Sequence, residues 1–394
     1  MVRPILRSTG ARVAHERKTR GLTQRALAEL STVSYSTLTK IEQDRLPASP
    51  STLAALARAL SVPVTTLTGQ PYLEELRADQ LDTLIQPIRE ALDGYDIAPD
   101  LEGAPRPLAE LNDHCERLCA LVRAANLKQV AADLPGLLAE MTATVHATPS
   151  EAAWRTLATT YRTAYDVASK LGFTDLATVA LDRLDGAAQR ASDASLAGVR
   201  QYLRALAYVR ASDYARGKRI IGLGFQMAEQ TEDGRMGDVL SGQLHLGAAV
   251  LAGRDSDGDA AEHHLAEAER IAKRTGPAER VHWLSFGPTN VHVHRVSVLA
   301  DLDRYPEAVR AGQTVVFPED WAASRRAHHH TDMARAQLRT GRLDAAFKSL
   351  VEARKLAPQQ TRYHPTVRET YAGIESSKRR MTNSFHNYGT WLGW

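Results

Sequence analysis

Cys115 and Cys119 stand four residues apart, beside His114. On a helix that spacing puts both thiols on one face, where a pair of thiolates can ligate a metal. A second ligand pair at ordinary zinc spacing is missing, so burial of both cysteines in a helical core is the expectation. His328, His329 and His330 cannot all face one way on a helix, and His292 and His294 lie about 200° apart around one. Gly222-Leu223-Gly224 lacks the third glycine of a dinucleotide fingerprint, because Met227 occupies it, and no strand pattern precedes it. HExxH, GxSxG and Walker A patterns do not occur. The chain therefore reads as a non-enzyme with no implied cofactor or metal.

Any function must then come from surfaces, and charge is where they first show. The 394 residues are 43% hydrophobic and 24% charged, the balance of a soluble globular protein, and the length calls for more than one domain. Residues 1–70 carry a net charge of +6, residues 71–150 carry −8, and the whole chain carries +3. A small basic unit beside an acidic segment fits a nucleic-acid module attached to something else; the plainer reading is chance surface charge. Ser241 to Gly253, the longest apolar-leaning uncharged stretch, is too short to span a bilayer. The N-terminal segment has no apolar h-region, and two cysteines are too few for a disulfide framework. A cytoplasmic location with no membrane partner is expected.

Local signals divide residues 1–70 into five short helices. Ala11 to Thr19 points Val13 inward and stops at Gly21. Thr23 is an N-cap candidate for Gln24 to Leu30, and Ser34 for a third helix with Leu38 and Ile41 three apart. Pro47 and Pro50 mark a loop, Ser51 to Leu60 carries Leu53, Leu56, Ala57 and Leu60 at helical spacing, and a last turn holds Leu67.

The run Arg17-Lys18-Thr19-Arg20-Gly21-Leu22-Thr23-Gln24, with Leu27-Ala28, Val33-Ser34, Leu38, Ile41-Glu42, Pro50-Ser51-Thr52-Leu53, Ala57, Ala59-Leu60 and Val62, resembles the lambda-repressor/Cro (Xre) helix-turn-helix family. The resemblance implies a five-helix DNA-binding head whose third helix enters the major groove of a double-stranded operator. It places Gln24 against phosphate and turns Ser34, Tyr35, Ser36, Thr39 and Lys40 toward DNA. Tyr35, Ser36 and Thr39 suit base edges, Lys40 reaches guanine or phosphate, and Arg45 is a phosphate contact. The plainer reading of Thr39 and Lys40 is a solvated helix face. Arg17 and Glu42 sit where the family often joins its first and third helices by a salt bridge. Thr32 occupies a turn position that is usually glycine, so the turn is expected to leave the left-handed conformation, which is costly for a β-branched residue. Asp44 stands at another such position and tolerates that region better.

Beyond the head, residues 71–107 read as an acidic helical connector and Pro-rich linker. Leu73, Leu76, Leu81, Leu84, Ile85 and Ile88 keep helical spacing, Pro87 is expected to kink that helix, and the acidic charge should keep the segment away from the duplex. Residues 108–382 show helix after helix and no strand pattern. A small residue recurs after each turn, at Ala177, Gly217, Ala261, Ala308 and Ala346. The last copy, with Met333-Ala334, Gly341, Ala346, Leu350, Ala353 and Pro358, resembles a tetratricopeptide (TPR) repeat. The expected fold is thus all-α, a lambda-repressor-like head followed by a TPR-like α-solenoid. The combination is similar to RRNPP-type and actinobacterial Xre-TPR regulators. Residues 383–394 form an aromatic tail with Phe385, Tyr388, Trp391 and Trp394, expected to cap the last helix pair; a plug for the groove or a contact with a partner is the alternative.

In a TPR-like array the first helix of each pair lines the concave face. Counting back from the small markers places Thr159, Arg162, Asp166, Tyr202, Gln243, Asn290, His328, Thr331 and Arg335 there. Arg162 and Arg335 are suited to a carboxylate, and the resemblance implies a signalling peptide or small-molecule effector; a solvated wall is the plainer reading. Two functions stand: a homodimeric transcriptional regulator with an effector-sensing array, or a TPR-type scaffold or adaptor whose head docks protein.

Overall fold

The computed structural model describes residues 8–377, 380 and 382–394. Arg3 and Arg7, counted in the basic head, lie outside the described residues. Five helices build the head: α1 (Thr9–Thr19), α2 (Gln24–Ser31), α3 (Tyr35–Glu42), α4 (Pro50–Ala59) and α5 (Val64–Thr68). Each of the first four starts on a hydroxyl that accepts from its first turn: Ser8, Thr23, Ser34 and Ser49. Val13, Leu27, Leu38, Ile41, Leu53, Leu56, Leu60 and Leu67 form one core, each worth about 1.5–3 kcal/mol on burial. The turn after α2 keeps the left-handed conformation despite its residue: Thr32 has φ 56° and ψ 18°. This differs from the expectation, because the packing of α2 against α3 holds the turn in that conformation, with the Thr32 side chain exposed.

The connector is not a loose tether. It forms α6 (Leu73–Ala78) and α7 (Asp82–Asp93), broken by left-handed Gln80, with Pro87 accommodated inside α7. Tyr72, Leu76, Leu81, Ile85, Ile88 and Leu92 enter the same core as the helices that follow. Those are α8 (Leu108–Arg123), α9 (Leu127–Ala147), α10 (Glu151–Leu171), α11 (Thr174–Arg190), α12 (Ala194–Ala211), α13 (Tyr214–Glu229), α14 (Gly234–Arg254), α15 (Gly258–Thr275), α16 (Pro288–Asp301), α17 (Tyr305–Gln313), α18 (Ala323–Arg339), α19 (Leu343–Leu356), α20 (Pro358–Arg362), α21 (Pro365–Ser377) and α22 (Asn383–Leu392). The chain is all-helical among the described residues, apart from an isolated bridge pairing Ala278 with Phe286.

From α10 onward the helices pair as hairpins in a repeat-like array: α10 with α11, α12 with α13, α14 with α15, α16 with α17, α18 with α19. All five small marker residues are buried where the helices meet. A Cβ at Gly217 would come 2.5 Å from Leu251 Cδ2, so the glycine sets how closely α13 approaches α14. Gly224, of the Gly222-Leu223-Gly224 run, packs against Leu244 in the same way. Gly222 is exposed and packs against nothing.

The array curls until its beginning meets its end. Arg123 Nη1 donates to Glu279 O at 2.9 Å and to Ser285 Oγ at 2.8 Å, and Lys128 N donates to Gln359 Oε1 at 3.0 Å. Arg368 pairs with Glu75 at 2.7 Å, and Asp79 holds both Arg362 and Tyr363. The head docks onto this ring. Thr9 Oγ1 donates to Glu369 of α21, Arg58 Nη1 donates to Ser212 O at 3.0 Å, and Pro47 lies against Gly373. Among the described residues no helix is long and apolar enough to cross a membrane.

Candidate nucleic-acid interface

The outward face of α3 is built from its cap upward. Ser34 Oγ accepts from Thr37 N at 3.1 Å and lies 3.2 Å from Ser36 Oγ, while Thr39 Oγ1 donates to Tyr35 O at 2.9 Å. Leu38 and Ile41 face the core, which leaves Tyr35, Ser36 and Lys40 exposed and Thr39 half-buried. Tyr35 is 48% exposed, unusual for a side chain that a small core would readily bury. Lys40 and Arg45 point into solvent and make no ion pair among the described residues. The docking of the head on α21 uses Thr9 and the Asp44–Ala48 loop, so it leaves this face open.

The frame behind α3 is a buried ion pair. Arg17 Nε and Nη2 donate to Glu42 Oε1 and Oε2 at 2.7 and 2.8 Å, and Arg17 Nη1 reaches Leu22 O at 2.8 Å. Burial would raise the Glu42 carboxyl, but hydrogen bonds from Arg17 and Gln24 outweigh it and hold the group below its usual range. Gln24 Nε2 spends one donor on Glu42 at 2.8 Å, so this predicted phosphate contact is also part of the frame. Arg25 was missed by the sequence reading. Its guanidinium lies 5.8 Å from the Tyr35 ring centroid and adds an exposed cation beside α3. Its one signal was membership of the basic head.

The predicted groove residues are spread over α10, α12, α14, α16 and α18, and most are engaged by residues outside the predicted set. Asn290 links three helices: its Nδ2 donates to Gln243 Oε1 at 3.4 Å, its Oδ1 accepts from Arg325 Nη2 at 2.6 Å, and its backbone O lies 2.8 Å from His294 Nδ1. Tyr202 packs on Gly247, and Thr331 Oγ1 donates to Ala327 O. Thr159 Oγ1 likewise turns back, to Arg155 O. Arg335 is committed to Asp301 at 2.7 Å, and Asp301 also holds Arg254 at 2.5 Å. Arg162 Nη2 donates to Trp283 O at 3.2 Å, and His328 faces Asp332 at 3.5 Å. Asp166 is half-buried.

The structure adds Lys170, His294, Arg325 and His364 to these residues. For the first three the signal was helical spacing: Arg162, Asp166 and Lys170 run four apart, as do Asn290 and His294, and Arg325 lies three before His328, whereas His364 lies between α20 and α21 and had none. Of the histidine pair, His294 is buried and His292 exposed. Cys115 and Cys119 are buried in the core between α8 and α10, with Cys119 Sγ 3.6 Å from Thr163 Oγ1. Ser195 sits between Asp193 at 2.5 Å and His282 at 2.7 Å, so the carboxylate contacts the hydroxyl rather than orienting the imidazole.

Residues 9–68 match the family model of a helix-turn-helix domain. The immunity repressor protein of Bacillus phage phi105 is 44% identical over 66 residues, which make up 17% of this chain and 46% of that repressor. The chain thus covers about half the length of that curated relative. No solved structure matches. The family match covers α1 to α5, the unit that carries the exposed face of α3.

Proposed function

We propose that the protein is a sequence-specific DNA-binding transcriptional regulator of the lambda-repressor/Cro type. In this reading α3 lies in the major groove. Tyr35, Ser36 and Thr39 meet base edges, Lys40 reaches guanine or phosphate, and Gln24, Arg25, Ser34 and Arg45 hold the backbone. The supporting observation is the face itself: an exposed tyrosine, hydroxyls and Lys40 on a helix pinned from behind by Arg17–Glu42, with Arg25 and Arg45 exposed beside it. The array, read as tetratricopeptide-like, dimerises and senses an effector, so that two heads meet a two-fold operator. A scaffold docking protein through the head would have no use for a row of uncompensated cations around α3.

Selection of bound duplexes from a random DNA pool by the full chain tests the reading. Enrichment of a defined, roughly two-fold site is expected. A pool that stays random, with no retention above background, would overturn it.

A further inference from the structure

Three cations on the inner wall of the ring lack a carboxylate partner. Lys170, on the last turn of α10, makes no hydrogen bond or ion pair among the described residues, and Asp166 acts on it only at longer range. Arg325 donates to Asn290 and approaches His294, both neutral, while its Nε finds no acceptor. Arg162 spends one nitrogen on a backbone carbonyl, and its Nε is likewise unmatched. Arg335 is different, since Asp301 neutralises it. Burying a charge without a partner is costly, and a fold normally removes the charge or pairs it.

Side chains do not fill the space that these groups line. His328 keeps 35% of its side chain accessible, and Lys170, Arg325 and His364 also retain accessible surface. His328 responds to these cations more than to the nearby carboxylates of Asp301 and Asp332. Burial, then Arg325 and Lys170, push His328 down to about 3, and burial, then His328, does the same to His364. His294 is pushed well below its usual value by burial and by Arg325. All three imidazoles are therefore neutral at physiological pH, able to donate or accept one hydrogen bond per nitrogen.

We propose that this inner chamber binds a small organic anion, whose carboxylate or phosphate group is held by Arg162, Lys170 and Arg325, with His328 and His364 as neutral hydrogen-bonding partners. The proposal rests on the sensing role given to the array above and names the class of its effector. A small ligand is favoured over an extended peptide because Arg123–Glu279 and Lys128–Gln359 join the beginning of the array to its end. Two guanidinium groups and one ammonium suit an oxyanion with several acceptors.

Calorimetric titration of the full chain with citrate and, separately, with inorganic pyrophosphate tests this at fixed ionic strength, with chloride as the monovalent control. Saturable one-site binding of at least one probe is expected, and whichever binds tells carboxylate from phosphate. Lys170→Met should weaken that binding at least about tenfold, as loss of a charge-assisted contact does. It should also raise the thermal stability of the ligand-free protein, because it removes an uncompensated buried charge; a lysine with a merely structural role would lower it. Arg325→Lys, which keeps the charge but loses the planar fork, should weaken binding less than Arg325→Met. Binding by neither probe, or unchanged affinity in Lys170→Met, would overturn the proposal. DNA binding measured on the same samples keeps the two readings apart. Retained DNA binding without anion binding sinks the chamber alone, and anion binding without DNA binding sinks the regulator.

Discussion

Arg17 and Glu42 couple α1 to α3 through two charge-assisted hydrogen bonds, in a position where neither side chain is more than 10% exposed. Breaking such a pair leaves a buried charge and costs about 3–5 kcal/mol. That rigidity matters, because a recognition helix reads base edges only if its tilt is fixed. Thr32 works against the same geometry. A β-branched residue at φ 56° costs about 1–3 kcal/mol, and nothing in its exposed side chain offsets that. Thr32→Gly is therefore expected to stabilise the head by about 1 kcal/mol, after the extra freedom glycine gains in the unfolded chain. Slower amide exchange in α2 and α3 is the readout; faster exchange would show that Thr32 is favourable where it stands. The sequence reading named Thr32 as the odd residue but misjudged the outcome, because the turn is set by helix packing rather than by local preference. It named Arg17 and Glu42 correctly, since position within a recurring pattern carried them.

At the scale of elements, what was legible followed local chemistry. Hydroxyl caps at Thr23 and Ser34 and the stop at Gly21 placed the head helices. The small residues from Ala177 to Ala346 marked where helices approach, and all are buried. The break at Gln80 gave no signal, because a left-handed glutamine has no composition cue. Pro87 was expected to kink its helix; it lies inside α7, which runs from Asp82 to Asp93. The tail became α22, with the Tyr371 and Phe385 rings stacked 4.3 Å apart, and Tyr388 Oη donates to Leu350 O at 3.1 Å. It covers the apolar end of α19 and α21. Truncation after Asn383 uncovers Phe385's partners and deletes Tyr388 and Leu392, at a cost on the order of 5 kcal/mol. The thermal midpoint should fall sharply. An unchanged midpoint with tighter anion binding would instead mean that the tail plugs the chamber.

For the molecule as a whole, the contacts that close the ring and seat the head join residues far apart in sequence, such as Asp79 with Arg362 and Thr9 with Glu369. No local pattern announces them, so neither the enclosure of the chamber nor the docking of the head was readable. If the array senses an effector as proposed, the docking of the head on α21 is the contact through which that effector would act on DNA binding. Glu369 sits in that joint. Burial raises its carboxyl to about 7, against the opposing pull of Thr9 and Arg12 and with a small push from Asp44. A carboxyl raised in the folded state stabilises the joint fully below its ordinary value of about 4.3. That contribution is lost as pH rises through about 7. The thermal midpoint should accordingly drop between pH 5 and pH 8 more in the wild type than in Glu369→Gln. Identical pH profiles would remove Glu369 from the joint's energetics.

The central claim is that α3 reads DNA with a face that contains Lys40. The most direct measurement is fluorescence anisotropy on the selected duplex across a salt series, for wild type and Lys40→Ala, with Tyr35→Ala tested on both the selected site and single-base variants. Lys40→Ala should cost about 1–3 kcal/mol if it meets guanine, or lower the slope of log affinity against log salt by about 1 if it meets phosphate. Tyr35→Ala should flatten the discrimination between the selected site and its variants, with the helical content of both proteins unchanged. If both variants bind the selected site with wild-type affinity, salt slope and discrimination, α3 is not the reader and the account fails.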